Sequence, residues 1–172
     1  MAVNGPLRLE ARFVASLVMA VSLGALAAAY IAQFGFGLQP CVLCLYQRVP
    51  YAVTAALGGI ATLPALVGRA RLALLTAAGL VFLAGAGIAA YHVGVERHWW
   101  AGTAACGGSG LAAPATVADL QRLMSEPPAV ACDRPAWMLF GITMAGYNAA
   151  LSLSLGIATL AAARILWRRE SR

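Results

Sequence analysis

Lysine is absent from this 172-residue chain, and acidic residues are scarce: six Asp and Glu stand against twelve basic residues, all of them Arg. Only 10% of the residues are charged, 62% are hydrophobic, and the mean hydropathy is +0.80. A soluble domain carries about 25% charged and 45–50% apolar residues. Too little polar surface is present here to cover a globule in water, which removes the soluble class before any motif is read. The net charge of +6 raises the question of nucleic acid, but that partner requires a clustered basic face. Here the Arg residues stand at the edges of apolar stretches, so the charge is read as membrane topology and no nucleic-acid partner is expected.

Four apolar stretches are present. They cover about residues 13–33, 45–67, 72–91 and 138–163, each close to the length of about 20 residues that crosses a bilayer. None alternates as a membrane β-strand does. The second carries Arg48, Pro50 and Pro64. The first is longer than the 7–15 residues of a signal-peptide core and is read as a span. The expected fold is an all-α integral membrane protein, one domain over residues 1–172. Its outer loops cover about residues 34–44 and 92–137. Glycines in spans two to four (Gly58, Gly59, Gly79, Gly85, Gly87, Gly146 and Gly156) let helix backbones approach where no hydrophobic effect drives association.

Arginine sets the orientation. Arg8, Arg12, Arg69, Arg71, Arg164, Arg168, Arg169 and Arg172 flank the spans on one side; Arg97, Arg122 and Arg134 lie on the other, with Arg48 at its edge. Positive charge stays inside, so both termini are expected in the cytoplasm. The long loop between spans three and four, in which Glu96, Asp119, Glu126 and Asp133 outnumber its Arg, faces out. Within that loop Thr116 and Asp119 make a capping-box-like start, followed by Val117, Leu120 and Met124 at helical spacing. A short amphipathic helix lying in the interface is expected there. Trp99, Trp100 and Trp137 bracket the loop as interfacial anchors.

All four cysteines, Cys41, Cys44, Cys106 and Cys132, fall on the outer side. An even number confined to the compartment where disulfides persist points to disulfide chemistry. A structural zinc site usually shows two CxxC pairs or added His ligands, and here only Cys41 and Cys44 are close, so no metal is expected. Structural stapling remains the alternative. Against it, Cys41-Val42-Leu43-Cys44 opens span two directly after Pro40, and a disulfide over so short a loop removes little chain entropy. Cys44 is expected in the first helical turn, where free N–H groups and the helix dipole stabilise a thiolate. Arg48, four residues on, shares its face. Snorkelling explains that position equally; beside a redox thiol, a guanidinium would also hold the thiolate and donate to a carbonyl.

The segment Gln39-Pro40-Cys41-Val42-Leu43-Cys44-Leu45-Tyr46-Gln47-Arg48 resembles the active-site segment of the DsbB family of disulfide bond formation proteins. Tyr91-His92-Val93-Gly94-Val95-Glu96 with Trp99-Trp100 and Cys106 resembles the family's exit from span three. Cys132-Asp133 with Trp137, and the run from Phe140 to Asn148, resemble the entry to its fourth span and that span itself. The likeness extends over about residues 13–165. The Gly- and Ala-rich stretch 107–113 departs from it and bears on how a partner docks. The resemblance implies a four-helix transmembrane bundle in the bacterial inner membrane with periplasmic cysteines. It implies a thiol oxidase that re-oxidises a DsbA-like thioredoxin-fold protein and passes electrons to ubiquinone or menaquinone.

Residue roles follow from the same resemblance. Cys106 and Cys132 form the outer disulfide, which the partner attacks at Cys106. Cys132 then attacks the Cys41–Cys44 disulfide at Cys41. Cys44 leaves as a thiolate and reduces the quinone, with Arg48 orienting it. His92 is a candidate quinone contact or a plain interfacial histidine. Glu96 and His98 read as solvated loop residues, and Asn148 as an interhelical hydrogen-bonding group or a lining residue of the quinone pocket. Two rivals remain: a vitamin K epoxide reductase-like enzyme of similar architecture, and a non-enzymatic membrane protein with stapled loops.

Overall fold

The computed structural model of the chain describes residues 5–106, 116–117, 121 and 130–172. Four long helices carry most of the regular structure: α1 (Gly5–Tyr30), which continues into a π-helical turn at Ile31–Gly35, α2 (Val42–Thr62), α3 (Arg69–Glu96) and α4 (Met144–Glu170). Two short strands, β1 (Met138–Leu139) and β2 (Ile142–Thr143), pair antiparallel ahead of α4. Three helices, namely α1 with its π turn, α3 and α4, are long and apolar enough to cross a membrane. Helix α2 carries Gln47, Arg48 and Pro50 in its first half.

Helix α3 packs along α4, α1 along α2, and α2 against α3. Small residues permit this. A Cβ on Gly58 would lie 2.8 Å from the Met19 N and 3.0 Å from the Ala15 O, so α1 and α2 touch backbone to backbone there. Gly79 and Gly156 likewise receive Leu160 and Leu83 across the α3–α4 contact, whereas Gly87 has no neighbour within 4 Å. Polar side chains inside the bundle are paired, as burial without water demands: the fully buried Ser22 and Thr54 lie 2.8 Å apart between α1 and α2.

The helix ends differ from the expected spans, each for a local reason. Helix α2 stops at Thr62 rather than near residue 67. Arg71, 2% exposed, gathers the carbonyls at its end, with Nε donating to the Ala61 O at 2.7 Å and Nη2 to the Leu63 O at 2.9 Å and also to the Leu66 O. One of the arginines counted for orientation is thus also a helix cap. Helix α3 runs on to Glu96, past the expected end at 91. Helix α4 starts at Met144, not 138. Phe140 and Gly141 both have positive φ, 50° and 75°, the backbone of a tight two-residue hairpin turn, and Thr143 caps α4 by accepting the Gly146 N–H at 3.1 Å. The amphipathic helix expected from Thr116 lies largely outside the described residues.

Candidate active site

The site is built around the start of α2. Cys41 is its N-cap residue, with extended backbone (φ −72°, ψ 170°), and its Sγ accepts the Cys44 N–H at 3.3 Å. A cap side chain collects one of the free N–H groups of the first turn; here the cap is sulfur. Cys41 and Cys44 are thiols with their Sγ atoms 2.8 Å apart. Cys106 and Cys132 are joined in a disulfide with Cα atoms 5.0 Å apart. Cys41, Cys106 and Cys132 are buried in one cluster with Leu43 and Val95, and Cys44 packs at its edge. The two cysteine pairs, distant in sequence, therefore share one end of the bundle.

His92 bridges them. Its Nε2 lies 3.5 Å from the Cys41 Sγ and 3.2 Å from the Cys132 O, and its Nδ1 lies 2.7 Å from the Gln47 Nε2. Asn148 Nδ2 donates to the Gln47 Oε1 at 2.5 Å, and Tyr51 donates to the Asn148 Oδ1 at 2.6 Å. Asn148 thus makes the interhelical hydrogen bond expected of it, and His92 contacts both cysteine pairs.

The acidity of the pair is reversed from the sequence-based expectation. The thiol of Cys44, hydrogen-bonded to Cys41, is the largest cause pulling Cys41 down from the usual 9.0 to about 4; burial opposes this, while His92 and the Cys44 backbone N–H add to it. The charge expected on Cys44 therefore falls on Cys41. The physical reason is the hydrogen bond between the two thiols, to which His92 and the cap N–H of Cys44 add smaller shares.

Arg48 does not hold a thiol by a hydrogen bond. Its Nη1 donates to the Gln33 Oε1 at 2.7 Å, and its Cζ sits 4.8 Å from the centre of the Tyr30 ring. The end of α1 and the π turn fix the guanidinium at the wall of a cavity of about 510 Å³. Cys41, Cys44, Gln47, Arg48, Tyr51, His92, Glu96, Trp137, Tyr147 and Asn148 line this cavity, together with Ala25, Leu26, Ala28 and Ala29 of α1. Glu96 is not a solvated loop residue: its side chain is 5% exposed, 3.8 Å from the His92 Nε2, and Thr143 donates to its Oε2 at 2.6 Å. His98 is exposed and 3.8 Å from Asp133. Trp100 does more than anchor: its ring stacks on Tyr91 and covers Gly94, where a Cβ would meet it at 1.9 Å.

The ligand atoms of Cys41, Cys44 and His92 lie within 4.8 Å of one another, a spacing that would admit an ion. The ring nitrogen facing the thiols, however, also faces the Cys132 carbonyl. A carbonyl only accepts, so the neutral ring pairs with it by placing a hydrogen on that nitrogen, and an ion would have to displace that hydrogen. Gln47, Tyr51 and Glu96 are site residues that motif reading passed over. For Gln47 and Tyr51, both inside the second apolar stretch, the signal was polarity within an apolar segment, which marks functional positions in membranes.

No solved structure matches the chain. Among curated proteins, an uncharacterized protein of Rickettsia prowazekii (strain Madrid E) is 28% identical over 81% of this chain and 80% of its own length. Disulfide bond formation protein B of Haemophilus influenzae (strain ATCC 51907 / DSM 11121 / KW20 / Rd) is 28% identical over 95% of this chain and 93% of its own. The family model for disulfide bond formation protein DsbB matches residues 11–162, a stretch that holds all four cysteines, His92 and the cavity they line. The chain is a membrane thiol–disulfide oxidoreductase belonging to the DsbB family.

Proposed function

We propose that the protein is a thiol:quinone oxidoreductase of the bacterial inner membrane, which re-oxidises a periplasmic DsbA-like thioredoxin-fold protein and passes the electrons to ubiquinone or menaquinone. The observation that carries this reading is the cavity of about 510 Å³ reached by both CxxC sulfurs, with Arg48 fixed in its wall. Small-molecule sites are mostly apolar clefts of about 300–1,000 Å³ with a few placed polar groups. A flat conjugated dione on an isoprenoid tail fits such walls, with Arg48 as donor to one of its carbonyls. When bound, the quinone takes up two electrons and two protons.

The chain's own residues do the rest. A partner thiolate attacks the Cys106–Cys132 disulfide at Cys106 and forms a mixed disulfide, freeing Cys132. Cys132 attacks the oxidised Cys41–Cys44 pair at Cys41, and Cys44 is released. A second thiol of the partner attacks the mixed disulfide, releases Cys106, and leaves the partner oxidised. Cys106 then attacks the Cys41–Cys132 bond at Cys132, and the outer pair closes as the inner pair becomes a dithiol. This dithiol gives up an electron pair and closes again. Each transfer is thiolate attack on a disulfide sulfur, and the shared burial of Cys41, Cys106 and Cys132 keeps the exchange away from water. In this reading α2 is the remaining span of a four-helix bundle. Both termini are cytoplasmic, in line with the eight arginines on that side, and the cysteines face the periplasm.

The test is quinone reduction by the purified protein in detergent, given a reduced DsbA-like partner, with Cys44→Ser as control. Catalytic loss of quinone absorbance by the intact protein alone supports the reading. If a folded protein consumes no quinone, the relay fails and the cysteines serve another acceptor.

A further inference from the structure

The chain of buried polar groups next to the cysteines has a direction that its acceptor-only end determines. At one end the Cys132 carbonyl lies 3.2 Å from the His92 Nε2. Because that oxygen only accepts, Nε2 bears hydrogen. In a neutral imidazole Nδ1 is then bare and needs a donor. Gln47 supplies its Nε2 at 2.7 Å, which turns the Gln47 Oε1 outward. That oxygen in turn needs a donor, and the Asn148 Nδ2 meets it at 2.5 Å. The Asn148 Oδ1 then accepts from the Tyr51 hydroxyl at 2.6 Å and from Ser152 at 3.3 Å. Reversing either amide would set acceptor against acceptor or leave a buried group unpaired, a cost of about 1–3 kcal/mol for each such group.

We infer that Asn148, acting through Gln47, locks His92 as the neutral tautomer with hydrogen on Nε2, so that one N–H is aimed at both the Cys41 sulfur and the Cys132 carbonyl. Asn148 and Gln47 are positioning residues for exchange between the two cysteine pairs. They hold a donor on the sulfur that Cys132 must attack and tie the backbone of Cys132 to the same ring. The charged and titratable groups that line the cavity with the ring are Cys41 at the cap, Cys44, Arg48 and Tyr51 from α2, Glu96 from α3, Tyr147 from α4, and Arg134. Among the described residues the hydrogen-bond partner of Nδ1 is Gln47. The lock concerns the cysteine pairs on which the proposed function rests, yet its readout needs neither quinone nor partner, so the two readings fail separately.

The experiment is nitrogen NMR of isotopically labelled histidine in the full-length protein in detergent micelles. His98→Gln removes the second of the two histidines. The expected spectrum at neutral pH has a protonated Nε2 and a bare Nδ1. Asn148→Asp keeps the shape of the side chain but replaces the donor to Gln47 by an acceptor. Gln47 then turns over, and Nδ1 gains a hydrogen. A role in packing alone would leave the ring unchanged on this isosteric exchange. Gln47→Glu, which removes the donor to Nδ1 directly, has the same expected outcome and serves if Asn148→Asp does not fold. A bare Nε2 or two N–H groups in the unaltered network overturns the inference, as does a folded Asn148→Asp protein whose Nδ1 stays bare.

Discussion

Lowering the pH over the reduced protein tests the site most directly, because one sulfur is expected to stay ionised far below the range of an ordinary thiol. Cys41 is drawn from 9.0 to about 4 by the Cys44 thiol at 2.8 Å, with smaller help from His92 and the Cys44 N–H, against burial. At pH 5 such a thiol is roughly 90% ionised, whereas an unperturbed one is ionised to roughly one part in ten thousand. The nucleophilicity lost with acidity, at a Brønsted slope of about 0.4–0.5, gives back roughly two of those four decades. Cys41 should therefore alkylate roughly a hundred-fold faster than a free cysteine at pH 5, with a rate nearly flat from pH 5 to 8. The assay is iodoacetamide labelling across pH 4–9 with the Cys106–Cys132 disulfide intact, read by mass on the peptide that holds Cys41. The causes also predict an order: Cys44→Ala should move the midpoint up further than His92→Leu does. Because the folded thiol is more acidic than the unfolded one, its contribution to the stability of the reduced fold is complete above pH 9 and is lost as the pH falls from 9 towards 4. A midpoint near 9 in the unaltered protein, or the reverse order of the two variants, would refute the assignment of the charge to a capping sulfur.

Three further outcomes follow from the packing and the cavity. Gly58→Ala presses a methyl group onto the Met19 and Ala15 backbone and should destabilise the bundle by about 1–3 kcal/mol, seen as a lower melting point in detergent, while Gly87→Ala, with open space around it, should not. Arg71→Leu strips the Ala61, Leu63 and Leu66 carbonyls of their donor, and limited proteolysis should then cut in the turn between α2 and α3 at least ten-fold faster, in keeping with about 1.5–3 kcal/mol for a charged hydrogen bond. Arg48→Leu should raise the KM for quinone by roughly ten-fold or more while leaving thiol exchange with the partner at its original rate; an equal loss in both half-reactions would place Arg48 outside the quinone site.

Much of this architecture is legible in the chain because the forces that set it are local. Apolar length marks α1, α3 and α4 as helices fit for a membrane, and the arginine pattern supplies a side. The pairing of Cys106 with Cys132 came from the family likeness, since four cysteines alone allow several connectivities. The hairpin ahead of α4 escaped notice because Met138, Leu139, Phe140 and Ile142 are as apolar as a span. Only Gly141, next to a residue that must also take positive φ, hinted at a turn.

The larger reversal, the exchange of roles between the two CxxC sulfurs, came chiefly from the contact between the two thiols, which a helix-dipole argument leaves out. The sequence pattern puts Cys44 in the first helical turn, as the recipient of its free N–H groups. With α2 starting at Val42, Cys41 becomes the cap and Cys44 becomes the donor. Apolar length is indifferent to three residues, but capping is not, because it is the N-cap side chain that is placed to accept a first-turn N–H. The same distinction explains why Gln47, His92 and Asn148 were visible as polar residues yet not as a set. Each must be satisfied once buried, but which partner satisfies it depends on the rotation of α2, α3 and α4 about their own axes. That rotation is fixed by close contacts such as Gly79 on Leu160 and Gly85 on Pro50, and so the chemistry of the cysteines rests on helix packing well below them in the bundle.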